Sequence, residues 1–170
     1  MNKSEAIKKF PMYEFLLEGA PVEINFSVEN FPKGTAIIQK GEEIEKVMIV
    51  VSGELLVYNE YVDGEVIYVQ SEDVSFIGDI ELISNQNTYV CSVSAKNNCK
   101  LLCMTKDDYI NWFDNDTGLM REMVVRLAMR NCKQSSRVGS LKYLSTEERV
   151  IKFLLDRFER FSFTHEDKRK

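Results

Sequence analysis

The sequence predicts an α+β fold, namely an antiparallel β-roll of the double-stranded, jelly-roll-like kind with flanking helices and one long helix. From residue 22 to residue 104, short runs of β-branched and aromatic residues alternate with turn residues, a pattern typical of sandwiches and barrels. After residue 104 the apolar residues change to helical spacing. With 170 residues, 44% of them hydrophobic, the chain is long enough for one main domain whose core needs no cross-links.

A short amphipathic helix is predicted for residues 3–18, because Gly19 and Pro21 follow its apolar positions as stop signals. The strands come next, separated by glycines at intervals of 7 to 14 residues. The pair Asp63-Gly64, between two β-branched and aromatic runs, predicts a hairpin. The predicted strands are 22–28, 35–39, 47–51, 54–58, 66–69, 90–93 and 99–104.

The helical part begins at Thr105, a suitable N-cap followed by two aspartates that suit the first turn. A long helix is then predicted for residues 116–144. Its seam repeats every four and three residues, which favours a parallel coiled-coil homodimer over a helix packed on its own β domain. The seam comprises Met120, Val124, Leu127, Asn131, Gln134, Val138 and Leu141.

Two further signals lie near the end of the chain. Residues 145–148, STEE, form a capping box that predicts a second helix. Residues 164–167, THED, look like another helix start, three residues before the chain ends. These signals divide the chain into a β-roll domain (1–115), a dimerisation helix (116–144) and the beginning of a further domain (145–170).

Residues 76–93, FIGDIELISNQNTYVCSV, have the frame of a phosphate-binding cassette. A tight turn at Gly78 is followed by an acidic residue, a short apolar helical run, a polar loop and a strand. The main-chain amides of residues 78–81, at a short helix start, suggest a modest anion nest. However, the chain has no Lys or Arg between Lys46 and Lys96, so the cassette supplies no cation of its own.

The order of these elements resembles the Crp/Fnr family of bacterial transcription regulators, to which the catabolite activator belongs. The resemblance covers about residues 20–167 and implies a roll that holds cyclic AMP or another effector, a parallel homodimer formed by the long helix, and a C-terminal winged helix-turn-helix that binds DNA. This chain ends before any recognition helix, so we expect either a truncated chain or a gene that has lost its DNA-binding domain. The matching segments are residues 39–42 (QKGE), 51–54 (VSGE), 76–79 (FIGD), 93–96 (VSAK) and 99–101 (CKL).

The resemblance also shows where the cassette departs from cyclic-nucleotide binders, which carry Gly-Glu at its start and an arginine in its loop. Here Asp79 is a shorter acid, and Tyr89 occupies the arginine position, or Thr88 or Asn87 if the loop is shifted. Burying a phosphate diester without a guanidinium costs several kcal/mol, so we predict weak or absent cyclic AMP binding. A different small-molecule effector and a closed, empty pocket both stay open.

The candidate effector residues belong to the cassette and to the polar middle of the seam. Tyr89 is either a pocket residue or an aromatic side chain packed on the roll. The seam residues either contact the effector, as the resemblance implies, or form a polar layer that sets the coiled-coil register. The candidates are Gly78, Asp79, Ile80, Glu81, Thr88, Tyr89, Val90, Asn131, Gln134 and Ser135.

Other classes fit the sequence less well. No catalytic site, metal site or cofactor is predicted: a cupin-like barrel would need several histidines, and the chain has only His165. A cysteine-based redox sensor of the same fold is the other alternative, but Cys99 and Cys103 would lie about 13 Å apart along one strand, too far for a disulfide.

Charge and hydropathy set the expected surroundings of the protein. The net charge of −5 gives the chain as a whole no footprint for nucleic acid, so DNA binding is expected only through the further C-terminal domain. No export signal or membrane-length apolar run is present, and we expect a cytoplasmic protein with no membrane partner.

Overall fold

The structure, a computed structural model, describes residues 1–60, 66–69, 76–143, 145–151 and 154–155. At residues 60, 66–69, 133 and 136–142 it describes the main chain only. The chain divides into two units, Met1–Met120 and Arg121–Lys170. Several predicted features lie outside the described residues: the Asp63-Gly64 turn, the helix start at 164–167 with His165, and the seam side chains of Val138 and Leu141.

The N-terminal segment is helical, but the single helix predicted for residues 3–18 is wrong. Helix α1 (Lys3–Lys9) is followed by a 3₁₀ turn (Pro11–Tyr13) and by α2 (Glu14–Leu17). The break lies at Phe10, whose backbone (φ −132°, ψ 66°) is outside the helical region. Proline disfavours the helical conformation in the residue before it and has no N–H to continue the helical ladder, so Pro11 ends α1.

The roll consists of two four-stranded antiparallel sheets, which confirms the predicted fold class. The strand order is β1-β8-β3-β6 in the first sheet and β2-β7-β4-β5 in the second. The strands are β1 (Ser27–Phe31), β2 (Ala36–Ile38), β3 (Lys46–Ser52), β4 (Leu55–Glu60), β5 (Val66–Val69), β6 (Phe76–Ile77), β7 (Ser92–Ala95) and β8 (Cys99–Thr105).

The predicted positions of most strands agree with the structure, with two displacements. The strand predicted at 22–28 begins only at Ser27, because the main-chain N–H groups of Ile24 and Phe26 donate to Pro21 and Met1 rather than to a strand. Their alternating burial mimics a strand. The strand predicted at 90–93 begins only at Ser92. The predicted hairpin is confirmed by antiparallel pairing of β4 with β5, in which Tyr58 faces Tyr68.

The core of the roll is apolar and draws on both sheets. Strand alternation places Cys99, Leu101 and Cys103 of β8 in the same buried cluster, which is the face predicted for them. Among the side chains that the structure describes, one aromatic belongs to the buried part of this cluster, and it comes from the cassette. The buried members are Ile38, Ile44, Met48, Val50, Leu55, Ile77, Tyr89, Val93, Ala95, Cys99, Leu101 and Cys103.

Three helices complete the described part of the chain up to residue 143: α3 (Asp79–Ile83), α4 (Lys106–Asn115) and α5 (Thr117–Tyr143). The predicted cap of α4 is confirmed, because Asp108 donates its N–H to Thr105 Oγ1 at 3.1 Å. Helix α4 packs on β3 and β8 and buries Trp112 completely. No helix among the described residues is long and apolar enough to span a bilayer.

The unit Arg121–Lys170 contains most of α5 and a second helical segment at 146–151. The predicted capping box is confirmed: Glu148 donates its N–H to Ser145 Oγ at 3.2 Å, and Ser145 donates its N–H to Glu148 Oε2 at 2.8 Å. This unit exposes many large apolar side chains, namely Val124, Val125, Met129, Val150, Ile151, Leu154 and Leu155.

Candidate effector site

The cassette contains a glycine turn whose backbone conformation and close neighbours both disfavour a side chain. Gly78 has φ +86°, in the left-handed region, and is the N-cap of α3. A Cβ at this position would lie 3.2 Å from the Lys46 carbonyl oxygen and 3.2 Å from the Tyr89 ring. The sequence therefore requires glycine here both for backbone conformation and for the close approach of β3 and the cassette loop.

Asp79, which follows the turn, is buried at 8% exposure. Burial and the Asp79 carboxylate together raise the pKa of Tyr109, on α4, above its usual value. The carboxylate therefore lies close enough to α4 for its charge to disfavour ionisation of Tyr109. Ile80 and Glu81, the next two residues of α3, are half-buried.

Tyr89 packs inside the roll. Its side chain is 4% exposed and belongs to the core cluster, and its hydroxyl donates to the Lys46 carbonyl oxygen at 3.0 Å. Its main chain is held as well, because its N–H donates to Glu42 at 3.0 Å and its carbonyl accepts from Gly41 at 2.9 Å. Burial, followed by the charges of Glu81 and Glu42, raises the pKa of Tyr89 to about 12, so its hydroxyl stays a protonated donor.

The loop between α3 and β7 turns at Asn85, which has φ +58°. Thr88 and Val90 are exposed on either side of Tyr89. The Val90 N–H donates to Glu81 Oε1 at 3.3 Å, so α3 and the end of the loop are joined through a carboxylate. Thr88 also forms an isolated β-bridge with Glu43.

Sequence patterns did not predict that residues 39–45 would form one wall of the cassette. Ile44 donates its N–H to the Asn87 carbonyl at 2.8 Å, beside the contacts of Gly41 and Glu42 with Tyr89. The wall also brings in a basic residue: Lys40 donates its N–H to Ser92 Oγ at 3.1 Å. Burial and the charge of Glu81 raise the pKa of Cys91, and the charge of Lys40 offsets part of that rise. No local signal could have placed Lys40 here, because the contact spans 52 residues of sequence.

The charge around the loop is predominantly negative. Lys46, which lies under the Tyr89 hydroxyl, is ion-paired through Nζ with Glu29 at 2.6 Å. Glu42, Glu45 and Glu81 all raise the pKa of Tyr89 by their charges, after the larger effect of burial. A buried anion at this loop would therefore face these carboxylates, with the charge of Lys40 near Cys91 as a partial offset.

The seam candidates belong to the second unit. Asn131, Gln134 and Ser135 are exposed there, and their effector role stays a prediction. Val124 is 63% exposed, while Leu127 is half-buried.

The cysteine chemistry disfavours the redox alternative. All four cysteines are free, and Cys99 donates through Sγ to the carbonyls of Glu54 and Asn97, both at 3.2 Å. Burial raises the pKa of Cys103 to about 12 and raises that of Cys91 as well. A thiol whose pKa is raised forms little thiolate and reacts slowly. Among the described residues no group of three His, Cys, Asp or Glu side chains is arranged to hold a metal ion.

The family model for the cyclic nucleotide-binding domain matches residues 28–116, which is more than half of the chain. The chain belongs to this family. The match begins in β1, covers the whole cassette and ends just before α5. No curated protein matches this cyclic nucleotide-binding domain protein by sequence.

Solved structures show the same fold and include Crp/Fnr-type regulators, as the resemblance predicted. The Thermus thermophilus catabolite activator protein is 18% identical, with 69% of this chain and 55% of that chain covered and a TM-score of 0.58. The c-di-GMP responsive regulator CLP from Xanthomonas campestris is 19% identical, with coverages of 77% and 66% and a TM-score of 0.59. This chain thus spans just over half of the first protein and about two thirds of the second.

A third similar structure comes from outside the bacterial regulators. The regulatory subunit of a cAMP-independent protein kinase A from Trypanosoma cruzi, bound to guanosine, is 21% identical, with 79% of this chain and 53% of that chain covered and a TM-score of 0.55. At these identities the likeness establishes the fold alone.

Proposed function

We propose that this chain is the effector-sensing and dimerisation part of a bacterial transcription regulator, and that its roll binds cyclic AMP weakly or not at all. One observation carries the ligand claim: Tyr89 is buried, with its hydroxyl donated to the Lys46 carbonyl. By the resemblance, Tyr89 takes the loop position that holds an arginine in cyclic-nucleotide binders, or Thr88 or Asn87 takes it if the loop is shifted. Tyr89 is therefore a structural residue of the roll rather than a phosphate ligand.

The energetic consequence follows from the charge of a phosphate diester. A guanidinium would offer two parallel donors and a full positive charge, whereas Tyr89 offers a single donor that the protein already uses. Losing about 3 kcal/mol of interaction lowers affinity by about two orders of magnitude. The carboxylates near the loop increase this penalty for any anion.

The similar structures widen the choice of test ligands. CLP is described as responsive to c-di-GMP, and the T. cruzi subunit is bound to guanosine. Guanosine is informative for this chain because it has a base and a ribose but no phosphate. The effector of this roll is in our proposal a small molecule other than cyclic AMP.

Calorimetric titration of the purified chain with cyclic AMP, cyclic GMP, c-di-GMP and guanosine tests the ligand claim. We expect no micromolar binding of cyclic AMP or cyclic GMP. The matched variant combines Tyr89→Arg with Asp79→Glu and should gain cyclic AMP binding. Its folding is checked by circular dichroism. Micromolar cyclic AMP binding by the wild type would refute the proposal.

The second half of the proposal concerns α5 and the end of the chain. The predicted seam and the exposed apolar residues Val124 and Met129 support a parallel homodimer through α5. Residues 145–170 would begin a DNA-binding domain, and effector binding would reposition the two α5 helices and so the DNA-binding domains; the regulator would act in the cytoplasm. Sedimentation at tens of micromolar tests the dimer, and a monomer under these conditions would refute it.

A further inference from the structure

The cassette loop holds a carboxylate of the protein at a donor that an anionic ligand would need. Val90, which directly follows Tyr89, donates its N–H to Glu81 Oε1 at 3.3 Å. The Glu81 main chain is fixed in turn, since its carbonyl accepts from Ser84 Oγ at 3.0 Å and from the Gln86 N–H at 2.8 Å. The Val90 N–H, which could otherwise bind an anionic ligand, is therefore already bonded to a carboxylate of the protein.

The charge of the Glu81 carboxylate also acts on both neighbours of Val90. After burial, the charge of Glu81 is the next largest cause that raises the pKa of Tyr89, and the same holds for Cys91. These two residues flank Val90 on either side. An anion placed at the Val90 amide would be close to the Glu81 charge wherever it entered the loop.

We propose that Glu81 is a specificity-determining residue of the cassette and that it selects a ligand without negative charge. This inference rests on the proposed function, in which the roll is an effector site. A phosphate group would have to displace the Glu81 carboxylate from Val90 and would then be repelled by it. An uncharged hydrogen-bonding molecule would compete with one hydrogen bond and meet no repulsion.

The main-chain amide of Val90 provides a direct test that needs no knowledge of the effector. The variants Glu81→Ala and Glu81→Gln are compared with Glu43→Gln, which also removes one negative charge but from an exposed side chain across the loop from Thr88. Amide hydrogen exchange at Val90, followed by NMR, should accelerate about tenfold in Glu81→Ala, because a hydrogen bond to a charged group is lost. Glu43→Gln should leave it unchanged.

Inorganic phosphate is the probe for anion exclusion. On titration, the Val90 cross-peak should stay in place in the wild type and in Glu43→Gln, and should move saturably in Glu81→Ala. Glu81→Gln keeps the shape and an acceptor oxygen, so an intermediate response is expected. Equal displacement in the wild type and Glu81→Ala, or none in either, would overturn the inference.

The two proposals fail in distinguishable ways. A Val90 amide that does not respond to Glu81 would overturn the role of Glu81 and leave the proposed function standing. Micromolar binding of cyclic AMP by the wild type would overturn the proposed function whatever the Val90 amide does.

Discussion

Inside the roll, Met48, Ile49 and Leu101 have no exposed surface, whereas on α5 Val124 is 63% exposed and Met129 58%. The two regions have similar apolar residues but place them differently. The roll closes two sheets on each other, so its apolar side chains are covered by the same chain. Helix α5 leaves the large apolar side chains of Val124, Val125 and Met129 uncovered. The comparison teaches that burial of apolar side chains is concentrated in the roll, while α5 keeps several of its apolar side chains exposed.

Truncating the largest buried side chain should lower the free energy of unfolding more than any other change proposed here. A small loss would contradict the comparison. Trp112 is completely buried, and its Nε1–H donates to Asp116 Oδ2 at 2.9 Å. Trp112→Ala should lower the free energy of unfolding by about 3–5 kcal/mol, measured by urea denaturation. Val124→Ala should change it by less than about 0.5 kcal/mol. A comparable loss at both positions would mean that α5 is as buried as the roll.

Two glycines of the roll allow a sharper, matched test. Gly53 and Gly34 both have φ between +80° and +100°, but a Cβ at Gly53 would lie 2.7 Å from the Asn98 carbonyl oxygen, whereas Gly34 has nothing within 4 Å. Gly34→Ala should cost about 1–2 kcal/mol for left-handed strain alone. Gly53→Ala should cost about 1–3 kcal/mol more, because the backbone of the turn between β7 and β8, at Asn98 and Cys99, must move. Equal midpoints in thermal denaturation would contradict the close packing at Gly53.

Tyr89 tests whether the cassette loop is part of the roll's interior. Tyr89→Phe removes the hydroxyl and its hydrogen bond to the Lys46 carbonyl, and should cost about 1 kcal/mol of unfolding free energy. The wild-type phenol should be half-ionised only near pH 12 in the folded protein, which ultraviolet absorbance can follow. A phenol that ionises near its usual pKa would place Tyr89 in solvent and return it to the list of ligand residues.

The smallest expected effect is at Asp116, which lies between the end of α4 and the start of α5. Burial acts to raise the pKa of Asp116, but hydrogen bonds from Trp112, Gly118 and Leu119 outweigh it, so the pKa of this carboxyl lies below its usual value. Because the folded pKa is the lower one, the stabilisation is complete above about pH 4 and is lost as pH falls through the folded pKa.

Asp116→Asn should therefore be less stable than the wild type at neutral pH by under about 1 kcal/mol, since the group is only half-buried and solvent screens its charge. The difference should shrink as pH falls below about 4, where the wild-type carboxyl becomes protonated. Urea denaturation at several pH values measures it. A difference that is independent of pH would assign the effect to packing against Gly19, because the Asp116 carboxylate fills the space that a Cβ at Gly19 would need.

Much of the fold followed from local chemistry. The hairpin of β4 and β5, the Thr105 cap and the Ser145–Glu148 capping box were predictable because each depends on residues close together in the chain. The break at Pro11 also had a local cause, and the amphipathic pattern of residues 3–18 concealed it. The strand was predicted to start too early, at residue 22, because burial of Ile24 and Phe26 alternates without sheet pairing.

The sequence by itself determined the element order, the glycine turn at Gly78 and the lack of an arginine in the cassette loop, because these are properties of residue type and short spacing. Only the tertiary structure decided where the Tyr89 ring points, since its hydroxyl meets a carbonyl 43 residues away. It also decided that Lys40 lies near Cys91 and that Glu81 reaches Val90. Such contacts depend on how the two sheets close, and no local pattern encodes that closure.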